Sequence, residues 1–177
     1  MADNNHLSPQ LIMRKKNLVN LPGLNMPPDF ILRHYMPGDD AHWENIIEAS
    51  FKEKYRFGKV MKEDKRYRAD RVLFVCHEGK PVATASAFCH RLYPDETGLV
   101  HMVGAYPCYK GKRLGYLVSL AVLHKLQAEG KKDVILETDD FRLPAIHVYL
   151  ELGFEPEYVH ENQPQRWEDV FKALVKK

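Results

Sequence analysis

The stretch VGAYPCYKGKRLGYLVSLAVLHKL, residues 103–126, runs from an apolar strand-like segment through a proline into a basic turn, then into a helix. In the helical part Leu114, Leu117, Val118, Ala121 and Val122 share one face, and Leu120, Leu123 and Leu126 widen it. A helix apolar over so much of its surface sits in the middle of a fold. Gly130 is placed to end it, because a glycine just past a helix accepts the left-handed conformation. The turn KGKRLG at the mouth of this helix has two readings. It is a tight turn entering a buried helix, or it holds a phosphate. The second has a physical basis. The first amides of a helix lack partners and its N-terminus carries partial positive charge. Glycines let an anion approach the backbone, and Lys110, Lys112 and Arg113 add mobile charge. The spacing is neither GxxxxGK[ST] nor GxGxxG, which argues against a nucleoside triphosphate or a dinucleotide.

Outward from this centre the pattern is α/β. KDVILET (132–138) reads as a buried strand, and DDFRLPAIHVYLELG (139–153) as a short helix with a capping Asp, an early Pro144 and a terminal Gly153. FEPEYVH (154–160) reads as a strand, and the tail places Trp167, Val170, Phe171 and Leu174 at helical spacing. Upstream, RVLFVCHEGKPVATASAFCHRLY (71–93) is a strand pair turning at Gly79, and TGLVHMVGAYP (97–107) is another strand. DFILRHY (29–35) is the first strand. It is followed by PGDD, with Asp39 or Asp40 as cap, and by a helix whose face is Trp43, Ile46, Ile47, Ser50 and Phe51. The basic segment 52–71 reads as a solvated helix and loop, or as a rim that attracts an anion. Residues 1–28, with prolines at 22, 27 and 28, read as an arm, and residues 29–177 as a single domain with a mixed sheet.

Composition narrows the function classes. The 177 residues suffice for one cored domain, and a formal net charge of +2 makes no demand for nucleic acid. No apolar run reaches the ~20 residues of a membrane helix, so no membrane partner is expected. Residues 1–10 show no secretory pattern. Cys76, Cys89 and Cys108 are widely spaced and form no CxxC, and no histidine pair has metal-ligand spacing. No metal is expected, and a reducing cytoplasm is the simplest compartment.

Taken together, VGAYPCYKGKRLGYLVSLAVLHKL and ILETDDFRLPAIHVYLELGFEP resemble the two core blocks of the GCN5-related N-acetyltransferase (GNAT) superfamily, bacterial type. The first block is a strand, a bend at proline, and an Arg/Gln-x-x-Gly-x-Gly/Ala turn opening a helix. Its slots fall on Lys110, Gly111, Lys112, Arg113, Leu114 and Gly115. The second is Asn-x-x-Ala-x-x-x-Tyr followed by Gly-Phe, matched by Ala145, Ile146, Tyr149, Gly153 and Phe154. Both lie in the expected order over roughly residues 97–156. Three slots depart: Lys110 for Arg or Gln, Arg113 for the middle glycine, and Arg142 for Asn. The tail also reads as helix where the family ends in a strand pair. The PPDFILRHYMPGDDAHWENII opening is similar to the first strand and helix of bacterial members.

The resemblance implies a mostly antiparallel mixed sheet, with helices on both faces and its fourth and fifth strands splayed apart. It implies acetyl-CoA as co-substrate, with pantetheine along Val103, Gly104 and Ala105, where a glycine within the strand fits a bulge or the close approach of a ligand, and the pyrophosphate on the amides from Lys110 to Gly115. The adenosine would lie near Lys112, Arg113 and Arg142. The reaction implied is direct acetyl transfer to an amine of a small molecule or peptide. The alternative is a GNAT-like module that binds acyl-CoA without catalysis. His101 on the fourth strand is the candidate base, since an ordinary histidine titrates near ~6.5. It also reads as a half-buried strand histidine. Its parity along the strand matches Leu99 and Val103. Glu96 is a second candidate base. Tyr149 is the candidate acid for the departing thiolate, or a core tyrosine. Trp43, Tyr55 and Phe57 are candidates for the acceptor pocket. Cys108 has no evident triad partner and is not expected to act as a nucleophile. An arm and a tail helix that two copies could share raise the expectation of a homodimer.

Overall fold

The structure is a computed structural model that describes residues 9–89 and 91–175. Its elements are β1 (Leu11–Lys15), β2 (Phe30–His34), α1 (Asp40–Phe51), β3 (Val72–His77), β4 (Lys80–Phe88), β5 (Thr97–Ala105), α2 (Leu114–Ala128), β6 (Asp133–Thr138), α3 (Leu143–Glu151), β7 (Glu155–Glu157) and α4 (Gln163–Val175). They build one sheet in the order β2-β3-β4-β5-β6-β1-β7. Every neighbouring pair is antiparallel except β5 and β6, which run parallel.

Strand β3 shows how the sheet divides its side chains. Leu73 and Val75 join the core under α2, α3 and α4, whereas Val72, Phe74 and Cys76 join the core under α1. A strand buried on both faces needs this continuous apolar run. Helix α2 is the centre of the larger core, with Leu114, Val118, Val122, Leu123 and Leu126 all buried. It ends at Gly130, whose φ of 77° lets its amide reach the Gln127 carbonyl at 2.9 Å. The smaller core is built on Trp43, Ile46, Ile47 and Phe57. Gly79, at φ 77°, makes the β3–β4 turn with Glu78.

The N-terminal segment needs correction first. Residues 11–15 are not part of an arm. They form β1, which enters the sheet between β6 and β7, with Leu11 opposite Thr138 and Arg14 opposite Glu155. Leu11 and Met13 are fully buried, and Arg14 donates to Asp133 at 2.7 Å and also pairs with Glu157. The run LIMRK is too short for its alternation to stand out from sequence, yet its three leading apolar side chains suit a covered strand. The strand read as fourth is therefore β5. Residues 18–27 then cross α2 of the same chain: His124 Nε2 lies 2.9 Å from the Pro22 carbonyl, and Leu18 is buried. Helix α4 likewise buries Trp167 and Val170 in the chain's own core. Residues 11–27 and α4 thus both pack on their own chain.

Asp39 precedes α1 but its side chain does not cap the helix. It accepts from the Met36 amide at 2.7 Å and from both terminal nitrogens of Arg33, which hold its carboxyl below the usual range. Nor does an Asp cap α3; that position is Arg142, without a side-chain cap bond.

Among the described residues no helix is long and apolar enough to cross a membrane, and no group of three His, Cys, Asp or Glu is arranged to hold a metal.

Candidate active site

Strands β5 and β6 pair only at their beginnings, through Thr97–Asp133, Gly98–Val134 and Leu99–Ile135. Beyond Leu99 they separate, because β6 turns its other edge to β1 while β5 stays on β4. The opening is a cavity of ≈ 650 Å³, walled by residues 99–103 on one side and 137–139 on the other.

A bulge shapes the β5 wall. Ser86 faces His101 and Thr84 faces Gly104, so Ala85 opposes the two residues Met102 and Val103. Met102 takes φ 51° to absorb the extra residue. The bulge reverses the side-chain parity. Leu99 packs in the α1 core but Val103 packs against the α2 core. His101 stays on the α1 side, its ring 5.2 Å from that of Phe88. It shares parity with Leu99, as expected, but not with Val103.

The expected pantetheine residues separate. Val103 lines the cavity. Gly104 is a glycine for a different reason: a Cβ there would meet Ser50 Oγ at 2.9 Å and Ile47 Cδ1 at 3.0 Å, so helix α1, not a ligand, makes the close approach. The Ala105 amide donates to Ser50 Oγ at 2.9 Å. Met102 and Val103 are left as the β5 backbone facing the cleft.

Tyr149 of α3 reaches the same cavity. It is 7% exposed, and burial pushes its phenol up to about 12 while Arg142 works against that rise. Its neighbours Ile146 and Leu152 are core residues, so the helix fixes its position. Arg142 lies on the wall of this cavity rather than beside Lys112 and Arg113. Its Nε donates to Asp139 Oδ2 at 2.9 Å and its guanidinium stacks 3.9 Å from the Phe51 ring centre. Asp139 is 3% exposed and also accepts from Gln10 Nε2 at 2.9 Å. Of the three aromatic acceptor candidates, Trp43 and Phe57 are fully buried core. Only Tyr55 lines the cavity, donating to Glu53 Oε2 at 2.6 Å, with burial raising its phenol to about 12. Glu96 is no part of the cleft. It pairs with Lys132 at 2.7 Å on the surface. Asp139, Glu53, Glu137 and Gln10 were not singled out from sequence. The acidic pair Asp139-Asp140 after strand β6 was the available signal for the first, and Gln10 gave none.

The basic turn lies beyond the end of β5. Gly111 adopts φ 86° and Arg113 adopts φ 56°, ψ 24°, the left-handed conformation that a glycine in this slot would supply. The Arg113 side chain points outward, over the Tyr116 ring at 4.4 Å and within 3.3 Å of Glu151. The amides of Lys110 and Lys112 close the turn on the Pro107 and Tyr109 carbonyls. That leaves the amides of Gly111 and Arg113 and the first amides of α2, on Leu114, Gly115 and Tyr116, as the open donors. Gly115 meets nothing within 4 Å of its Cβ position. Lys112, Arg113 and Tyr116, with Gly23, Asn25 and Pro27, line a second hollow of ≈ 260 Å³. A split sheet, a glycine turn and an uncapped helix N-terminus thus follow one another along the chain. An extended thioester with a pyrophosphate fits that arrangement. Residues 39–154 match the family model described as Acetyltransferase (GNAT) family.

The chain belongs to the GNAT acetyltransferase family. Acetyl-CoA is the co-substrate of this family, and acetyl transfer to an amine is its reaction. A mycothiol acetyltransferase of Nocardia farcinica is 32% identical over 151 residues, covering 78% of this chain and 50% of that one. The chain thus spans about half the length of this relative. Among solved structures, a GCN5-related N-acetyltransferase from Sphaerobacter thermophilus superposes with a TM-score of 0.65 at 18% identity, over 83% of this chain and 48% of that one. Ard1 from Thermoplasma volcanium gives 0.66 at 16% identity, over 73% and 85%. At these identities the likeness is one of fold.

Proposed function

We propose that this chain moves the acetyl group of acetyl-CoA directly to the amine of a small molecule or peptide, with His101 as base and Tyr149 as acid. The observation that carries this reading is the cleft between β5 and β6, which has both residues on its walls. Acetyl-CoA supplies the activated acyl carbon and a thiolate leaving group. Val103 would hold its pantetheine by backbone, and the amides of Leu114 and Gly115 its pyrophosphate, with Lys112 adding charge. His101 would take the proton that the attacking amine must lose. Tyr149, a phenol kept protonated by burial, would give its proton to the departing sulfur. Arg113 supports catalytic use of the turn rather than its loss, since it reproduces the conformation of the glycine it replaces. The described cysteines are unpaired, which supports a reducing compartment such as the cytoplasm.

The test is calorimetry with acetyl-CoA, followed by CoA release with a panel of amines. Micromolar binding and release with at least one amine are expected. Absence of binding at high micromolar protein would sink the proposal.

A further inference from the structure

We infer that Arg142 selects the acceptor: its guanidinium receives a carboxylate carried by the same molecule that presents the amine. This deepens the acetyl-transfer reading above and rests on it. Arg142 opens α3 and lines the β5–β6 cleft with Tyr149 and His101. Two contacts lock its head group. Asp139, itself buried and held by Gln10, takes Nε on one side, and the Phe51 ring lies under the guanidinium plane. Among the described residues Nη1 and Nη2 make no hydrogen bond or ion pair, and neither is sealed from solvent. The chain therefore holds a planar fork with its outer edge free, in the cleft where the acceptor must enter. That edge matches a carboxylate through two parallel bonds.

The rest of the wall supplies the complementary charge. Glu53 and Glu137 line the same cavity and neither bonds to Arg142. A purely cationic polyamine would leave the guanidinium edge unanswered, and a phosphate dianion would face both glutamates. An amine that also bears one carboxylate, as in an amino acid or a peptide with a free C-terminus, answers both charges.

The experiment uses L-amino acids and short peptides, each as the free acid and as its carboxamide, with CoA release as readout. The wild-type chain is expected to favour the acids by about 10- to 100-fold in kcat/KM, the span of a charge-assisted bond pair. Arg142→Met should erase that preference by lowering kcat/KM for the acids alone, with acetyl-CoA affinity unchanged in calorimetry. Arg142→Lys should keep part of it. Equal use of acids and amides by the wild type would overturn the inference. So would an equal loss on both in Arg142→Met, or a parallel loss of acetyl-CoA binding. Should Arg142→Met fail to fold, the wild-type comparison decides alone. Should acetyl-CoA bind but no amine release CoA, the acetyl-transfer reading falls by itself. Binding of N-acetylated acids against their carboxamides to the CoA-loaded chain then decides the carboxylate, and no preference refutes it.

Discussion

Arg113 pays for its place in the turn. A residue with a Cβ in the left-handed region costs roughly 1–2 kcal/mol, and this one recovers part through its stack on Tyr116 and its pair with Glu151. Arg113→Gly is therefore expected to change stability by less than about 0.5 kcal/mol, since strain relief and the lost stack, each near 1 kcal/mol, offset each other. Arg113→Val keeps the strain, adds β-branching and loses the stack. It should be less stable than the glycine variant by about 1–2 kcal/mol in urea melts. Tyr149 allows a sharper test. Tyr149→Phe should lower kcat by about 100-fold, at the low end of general acid catalysis, with acetyl-CoA affinity kept. Because its phenol is pushed up to about 12, the protonated acid persists until the pH approaches that value. No alkaline loss of kcat from Tyr149 is expected below about pH 10 by that ionisation. His101→Gln should likewise lower kcat, with acetyl-CoA affinity kept.

Among the elements, the junction of α1 with β5 is a close one. Ser50 is bound to both the amide and the carbonyl of Ala105, and it lies where a side chain on Gly104 would begin. Gly104→Ala should destabilise by about 1–3 kcal/mol, the usual range for overpacking, and circular dichroism melts would register it. A variant as stable as wild type would mean that α1 moves freely. This junction also marks the limit of what the sequence conveyed. Helices α1, α2 and α3 were legible because each has an apolar face at helical period and a left-handed residue or glycine near its end. The splay of β5 from β6 was legible only through the resemblance of its flanking blocks. Gly104 hinted at a bulge in this strand, but its place at Met102 was not legible, since one inserted residue leaves the apolar content of TGLVHMVGA unchanged while exchanging its faces. Gly104 carried a true signal of close approach, but which body approaches is a tertiary fact. Likewise Arg142 showed in sequence as a departure from a motif; only the position of Phe51 and Asp139 gives it a direction.

For the whole molecule, the strand LIMRK decides whether the sheet is complete. Leu11 and Met13 are fully buried between partners from the far end of the chain. Met13→Ala should cost about 2–5 kcal/mol, as large-to-small changes in a core do. A loss under 1 kcal/mol in denaturant titration would mean that β1 contributes little to the packed state. The two cores also divide the work. The α1 core backs Leu99 and Met102 on the β5 wall of the cleft, and the α2 core holds Tyr149.

The position of β1 has a consequence in time. It precedes its hydrogen-bonding partners β6 and β7 by most of the domain. Until those two strands are made, the chain carries an unpaired apolar strand whose two edges are both open. Non-local pairing of this kind slows folding and leaves intermediates prone to association. The sheet can close around LIMRK only once β6 and β7 are both present. A nascent chain stalled before residue 133 is expected to be the species that chaperones hold.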